Sequence, residues 1–205
     1  MIAVIDYGRG NLGSVEKAFA RLGLDARITQ DPGLVDGAEA CVLPGDGAFH
    51  DAMQNLDALD LLESVRRAVD GRRPFLGICL GFQLLFSESE EFGQGKGLDV
   101  VSGAVRRFPS DLKVPHMGWN QVRHAGDLAL FEGIPPGAYF YFVHSYYPRV
   151  ADDSVTVASC DYGRPFAAAI ERGNLFGTQF HPEKSQRWGL RLLENFGGIV
   201  RAARR

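Results

Sequence analysis

The sequence predicts a three-layer α/β fold with a mixed central sheet between helices, and three observations predict it. Short apolar runs alternate with helical patterns through the first half of the chain. After Gly97 the pattern changes to strand-like runs punctuated by glycine and proline. A last helical stretch, from about Gln186, closes the chain.

The elements follow in order. IAVI reads as a short buried strand and DYGRGN as the loop after it. A helix comes next, with Asn11 at its N-cap and Gly23 as its stop after FARLG. ARIT and ACVLPG read as the next two strands, and LDLLESVRRAVDG repeats apolar positions at helical spacing up to Gly71. RPFLGI is apolar on both faces, as a central parallel strand covered by helices must be. LGFQLLFSESEE has helix-forming composition. Beyond Gly97, VVSGAVRRF, WNQVRHAG, YFYFVHSYY, SVTVASC, FAAAIERG and NLFGTQF are strand candidates. No repeat, low-complexity tract or linker marks a boundary, so residues 1–205 are expected to form one domain.

Composition narrows the function classes. The 205 residues are 45% hydrophobic and 23% charged, which suits a globular chain with a real core. A formal net charge of -3 gives no reason to expect a nucleic-acid or anionic-membrane partner. IAVI is too short for a signal peptide, and no run approaches a membrane span. Three cysteines without a CxxC pair argue against a disulfide framework or a cysteine zinc site, so a cytoplasmic location is expected.

Two motifs compete for the chemistry. Gly8-Arg9-Gly10-Asn11-Leu12-Gly13 spells GxGxxG between a strand and a helix, with Asp31 roughly twenty residues on, where a dinucleotide-binding acid would stand. Little in the second half supports hydride transfer. Gly77-Ile78-Cys79-Leu80-Gly81 has instead the form of a nucleophile elbow with cysteine in the serine position. A sharp strand-to-helix turn brings backbones together, and glycine two residues before and after the thiol leaves room for it. The N-terminus of the following helix would favour thiolate. Cys41 and Cys160, within ACVL and TVASC, read as small buried hydrophobes.

A thiol needs a base. Of five histidines, His50 and His124 sit in polar surroundings, while His116 and His144 lie beside aromatics and suit structural roles. His181 ends the strand NLFGTQF, where α/β enzymes place their chemistry, and Glu183 can reach back to its other ring nitrogen. Leu43-Pro44-Gly45-Asp46-Gly47 ends the strand beside the elbow strand and offers peptide N–H groups for an oxyanion, together with Leu80.

LPGDG, GICLGFQLLF and TQFHPEKS together resemble the triad family of glutamine amidotransferases. DYGRGNLGSV, KGLDVVSGAVRRF, VPHMGWNQV, YFYFVHSYY and FHPEKSQ narrow the resemblance to the glutaminase subunits of imidazole glycerol phosphate synthases, over essentially the whole chain. The resemblance implies a flavodoxin-like class I amidotransferase domain. It implies hydrolysis of glutamine to glutamate and ammonia through a cysteine thioester, without metal or organic cofactor. Cys79 would be the nucleophile, His181 the acid/base and Glu183 its orienting carboxylate. Gly45, Asp46, Gly47 and Leu80 would form the oxyanion hole. Gln83 and Glu91, one and three helical turns past Cys79, match glutamine-pocket positions, and His144, Ser145 and Tyr146 match a segment opposite. Trp119 and Lys184 match positions near a (βα)₈ cyclase partner, and Asn11 a loop between active site and interface. By the same resemblance the GxGxxG loop binds no nucleotide, and activity would be low until the partner binds. A subunit serving a different acceptor enzyme is the alternative. Asp46 and Phe82 depart from the valine and methionine more common at those positions.

Overall fold

The computed structural model describes residues 1–125 and 128–204. The first half runs β1 (Ile2–Ile5), α1 (Leu12–Arg21), β2 (Ala26–Thr29), α2 (Pro32–Gly37), β3 (Ala40–Leu43), α3 (Phe49–Ala58), α4 (Leu62–Asp70), β4 (Phe75–Ile78) and α5 (Leu80–Gln83). The second half runs β5 (Phe86–Ser89), β6 (Gly95–Lys96), β7 (Val101–Arg107), β8 (His116–His124), β9 (Ala138–His144), β10 (Tyr146–Val150), β11 (Thr156–Asp161), β12 (Pro165–Arg172), β13 (Leu175–Thr178) and α6 (Gln186–Ala202).

Nine strands form one sheet in the order β2-β1-β3-β4-β13-β12-β11-β8-β9. Pairing is parallel from β2 to β13 and antiparallel from β13 to β9, which makes the sheet mixed. A second sheet, β10-β7-β5-β6, lies to one side. Alternation along β1 shows how the layers form: Ile2 and Val4 join the core under α1 and α6, whereas Ala3 and Ile5 join the core under α3 and α4. Phe19 of α1 and Phe196 of α6 close the first core, and Phe49, Leu56 and Val65 the second. Each large side chain sealed in this way contributes roughly 1.5–3 kcal/mol.

Local signals explain the element ends. Helix α1 stops at Gly23, whose φ is +69°: Gly23 N–H bonds Ala20 O and Leu24 N–H bonds Phe19 O, a Schellman closure. Asn11 sits at the α1 N-cap, but its side chain makes no capping bond. Asp31 accepts from Gly33 N at 2.8 Å and starts α2, with Pro32 following it. Its carboxylate is thus a helix cap, and Gly10 N–H of the glycine loop is taken by Asp46 Oδ1 at 3.0 Å. Neither group remains free for a dinucleotide.

One expected element is different. LGFQLLFSESEE forms a single turn of helix and then strand β5. Leu84, Leu85 and Phe86 are all fully buried, and a helix covered on one side cannot bury consecutive residues. Leu98 N–H and Val100 N–H bond the carbonyls of Leu84 and Leu85 at 2.8 and 2.9 Å, which draws the segment into an extended path. Glu91 therefore arrives from a strand and a turn, not from a third helical turn. The WNQVRHAG strand is β8, which begins earlier, at His116, and ends at His124; its expected last residue, Gly126, lies outside the described residues.

The parallel strands put their C-terminal ends on one edge, and β3, β4 and β13 are adjacent there. Close packing at that edge depends on glycine. A Cβ on Gly81 would stand 1.8 Å from Leu43 O, and one on Gly77 would stand 2.8 Å from Gly81 O. Both contacts are with backbone, so neither neighbour can yield cheaply. Gly81→Ala is expected to lower the stability of the chain by about 3 kcal/mol, at the upper end of overpacking costs, as read by chemical denaturation; an unchanged midpoint would contradict this packing.

Candidate active site

The thiol sits at a strained bend. Cys79 has φ +55° and ψ -106°, a conformation side-chain-bearing residues avoid. Its strain is held by Cys79 N–H bonding Thr178 O at 2.7 Å and by Gln83 N–H bonding Cys79 O at 3.0 Å. The glycines on either side supply room, and the unusual dihedral belongs to the cysteine itself. Helix α5 is only four residues long, so its dipole gives the sulfur little. The expected thiolate-favouring field comes instead from an imidazole.

His181 follows β13, the parallel neighbour of β4, so the two strand ends bring it beside Cys79. Its backbone is fixed by His181 N–H to Tyr141 O at 3.0 Å and by Ser185 Oγ donating to His181 O at 2.6 Å. The ring donates Nδ1–H to Glu183 Oε1 at 2.8 Å, and both side chains are almost wholly buried. That bond fixes the tautomer and leaves Nε2 without a hydrogen-bond partner among the described residues. Burial pushes the imidazole pKa down, but negative charge on the Cys79 sulfur and the Glu183 carboxylate outweighs it and raises the pKa to about 10. The buried His181 ring therefore keeps its proton beside the Cys79 sulfur.

Cys79 and His181 open onto a cleft of about 400 Å³. Asp46, Gly47 and Leu80 line it near the sulfur, and Gly45 packs behind them against Leu80 and Gly81. The N–H groups of Gly45, Asp46, Gly47 and Leu80 donate to no protein acceptor among the described residues, so this rim carries unspent donors. Asp46 points its carboxylate away to Gly10. Gln83, Glu91, His144, Ser145 and Tyr146 line the cleft as well, and so does Lys184. Gln83 donates through Nε2 to Tyr146 O at 2.9 Å and Gln179 Oε1 at 3.0 Å, leaving its own oxygen as an acceptor. Glu91 accepts Phe49 N–H at 2.7 Å through one oxygen, and burial raises its pKa.

His116 and His144 are buried together against Phe108, Phe142 and Phe166. Burial lowers their pKa values to about 4 and about 3, so both are neutral rings. His124, which the sequence places in polar surroundings, is half-buried, with its ring tilted against Phe131 and its nitrogens 3.0 Å from the Ala125 and Ile134 carbonyls. Trp119 and Asn11 stand outside the cleft: Trp119 lines a separate groove of about 830 Å³ with Tyr139 and Trp188, and Asn11 is exposed. The sequence pattern did not single out Pro115 and Val143 on the cleft wall, Gln179 beneath the sulfur or Tyr7, whose hydroxyl packs on Gly45. Gln179 could have been found as a polar residue in an apolar run, two places before His181 and so on its side of the chain. Tyr7 OH is buried with no partner among the described residues, and burial, with the charges of Cys79 and Asp46, pushes its pKa far up.

The charge pairing has a direct test. In Cys79→Ala the sulfur that favours the protonated His181 ring is gone while burial remains, so the ring pKa is expected to fall. Imidazole resonances followed by NMR at pH 7 to 9 should report a protonated His181 ring in the unaltered chain and a lower titration midpoint in the variant. An unmoved midpoint would contradict the pairing.

Comparisons with known proteins give the chain's family. The Glutamine amidotransferase class-I family matches residues 3–198. The chain is 56% identical over 202 residues to the imidazole glycerol phosphate synthase subunit HisH of Moorella thermoacetica, covering 98% of this chain and 96% of the relative. It is 54% identical to the subunit of that name from Syntrophotalea carbinolica, covering 97% and 100%. The subunit of the same name from Methanothermobacter thermautotrophicus is 52% identical, covering 98% and 100%. Among solved structures, a putative GMP synthase subunit from Thermoplasma acidophilum superposes with a TM-score of 0.74 at 26% identity, covering 99% of this chain and 94% of that one. A glutamine amidotransferase superposes at 0.76 with 19% identity, covering 98% and 99%, a likeness of fold. With an elbow cysteine, a carboxylate-held histidine on the next strand and matches along nearly its whole length, the chain belongs to the class-I glutamine amidotransferase family, in its HisH group.

Proposed function

We propose that this chain is the glutaminase subunit of an imidazole glycerol phosphate synthase. It hydrolyses glutamine to glutamate and ammonia and delivers the ammonia to a cyclase subunit in histidine biosynthesis. The observation that carries this reading is one cleft lined by Cys79, by His181 with Glu183 bonded to its far ring nitrogen, and by Asp46, Gly47 and Leu80, whose backbone N–H groups have no protein acceptor among the described residues.

The Cys79 thiolate attacks the side-chain amide carbon of glutamine, and the N–H groups of the 45–47 segment and Leu80 receive the negative oxygen. His181 gives its Nε2 proton to the departing nitrogen, which leaves as ammonia, and a glutamyl thioester remains. Water then loses a proton to His181 and attacks the thioester, and glutamate leaves as the thiolate and imidazolium are restored. Glu183 keeps the imidazole in the required tautomer throughout. Gln83 Oε1 and Glu91 are acceptors suited to the α-ammonium of glutamine, and the His144-Ser145-Tyr146 segment closes the opposite wall. These steps call on no metal or organic cofactor.

Ammonia released into bulk water would be protonated and lost to synthesis, so a receiving partner must cover the site. Met117, Trp119 and Tyr139 are large exposed apolar side chains on the β8–β9 hairpin, 67%, 45% and 52% accessible, and Lys184 lies over the ring of Tyr141. A partner with the (βα)₈ fold would seat there, with Asn11 at the border between cleft and interface. Both proteins would work in the cytoplasm; no helix of the described residues is long and apolar enough to cross a membrane.

The experiment is glutamine turnover by the chain co-assembled with the cyclase subunit. Cys79→Ala is expected to abolish ammonia-dependent synthesis from glutamine while assembly, and synthesis from added ammonium salts, persist; full glutaminase activity in that variant would refute the mechanism. Glu183→Gln should lower kcat by roughly 10²–10⁴-fold, the usual worth of positioned acid–base catalysis, with glutamine KM changed far less.

A further inference from the structure

We infer that Gln179 is a further catalytic residue, a neutral donor that binds the sulfur of Cys79 from beneath and stabilises it as an anion and as a leaving group. The inference rests on the thiolate chemistry proposed above and adds a group to it. Gln179 is fully buried just past the end of β13 and does not line the cleft. Its Nε2 donates to Cys79 Sγ at 3.7 Å, within hydrogen-bond reach for sulfur.

The direction of that bond is dictated by a chain of partners whose roles cannot be reversed. It starts at a carbonyl oxygen, which only accepts. Tyr146 O receives Gln83 Nε2 at 2.9 Å and His144 Nδ1 at 2.7 Å, so both are donors. Gln83 Nε2 spends its second hydrogen on Gln179 Oε1 at 3.0 Å. The oxygen of Gln179 is thereby held away from the sulfur, and its NH₂ must face Cys79. A flipped Gln179 amide would set NH₂ against NH₂ on one side and a carbonyl against sulfur on the other.

The far end is locked too. With its proton on Nδ1, neutral His144 accepts at Nε2 from His116 Nδ1 at 3.0 Å. His116 Nε2 in turn accepts from Asn120 Nδ2 at 3.1 Å. Asn120 cannot flip, because its Nδ2 also donates to Asp161 O at 2.9 Å and its Oδ1 accepts Gln121 N–H at 2.8 Å. Two buried neutral histidines in one sequence order thus have a job that a pair of apolar residues could not do. They fix the carbonyl that fixes Gln83, which fixes the amide under the nucleophile.

A neutral donor complements His181. The imidazolium gives its proton away during ammonia release and can no longer support the sulfur. An amide N–H stays in place in every step. It lowers the energy of the thiolate before attack and again when thiolate is expelled from the second tetrahedral intermediate. Other titratable groups near the sulfur are Tyr7 on the β1 loop, Asp46 and Glu91 across the cleft, Lys184, and His144 on β9; substitution of Gln179 leaves all of them in place.

The test reads the sulfur without using turnover. The rate of Cys79 carbamidomethylation by iodoacetamide is measured against pH in the unaltered chain and in Gln179→Met, which keeps length and loses the donor. Cys41 and Cys160 are buried, and peptide mapping isolates the Cys79 product. Loss of a hydrogen bond to the charged sulfur should raise the reactive midpoint by about one pH unit in the variant, tenfold fewer thiolates at a pH below both midpoints. Gln179→Glu, which keeps the shape and offers acceptors, should raise it further. In the unaltered chain the Gln179 side-chain amide resonance should shift with the same midpoint, a readout that requires no variant to fold. A profile of Gln179→Met or Gln179→Glu superposable on the unaltered one, or an amide resonance blind to the sulfur's titration, overturns the inference. Loss of glutaminase in Cys79→Ala is independent of these results, so failure here leaves the proposed function standing.

Discussion

Parallel pairing of β4 with β13 is the constraint on which the rest of the site depends. The two strands are separated by almost a hundred residues in sequence, and their register sets Ile78 opposite Thr178. From that register the Cys79 N–H reaches Thr178 O, and the chain turns sharply on one strand while it runs on to Gln179 and His181 on the other. A shift of one residue would turn the imidazole and the amide to the opposite face of the sheet. Thin packing around the bend, at Gly77, Gly81 and Gly45, is what lets the strands stand this close with a strained residue between them. The strain is maintained because both backbone groups of Cys79 are bonded to fixed neighbours.

Three buried imidazoles near the cleft carry different charge for reasons visible in their surroundings. His181 lies between the Cys79 sulfur and the Glu183 carboxylate, whose negative charge favours its protonated form, and keeps its proton in spite of burial. His116 and His144 have each other, aromatic rings and neutral amides for company, so desolvation prevails and they are neutral. The difference separates two tasks. A charged ring moves protons, and a neutral pair with fixed tautomers holds geometry. Asp46, a carboxylate at the rim of the oxyanion segment, brings no second negative charge to the sulfur's immediate contacts, because it turns to the Gly10 N–H and ties that segment to the β1 loop.

Most of the architecture could be read from pattern. Helical spacing in LESVRRAVD, glycine at the end of α1, and apolar runs in IAVI, ACVL and FLGI name their elements because periodicity and stop signals are local. The segment after Cys79 was not legible in that way. LLF is apolar on every side, a composition that suits a buried helix or a buried strand equally, and only the carbonyls claimed by Leu98 and Val100 decide between them. In the site, the elbow and the His-x-Glu pair were legible because their chemistry demands particular residues at short spacing. Gln179 was not singled out: its polarity within an apolar run and its spacing from His181 mark the position, but what its amide does depends on hydrogen-bond partners far off in the chain.

By itself the sequence determined the alternation of elements, the glycines that permit a bend at Cys79, and the reach of Glu183 to His181 two residues away. These are local properties, set by backbone sterics and by the length of a side chain. Tertiary structure alone decided which buried histidine keeps its proton, which amide lies against the sulfur and which loops line the cleft. Those outcomes depend on burial and on partners far off in the chain, and neither desolvation nor a hydrogen-bond direction exists before the strands have found their neighbours.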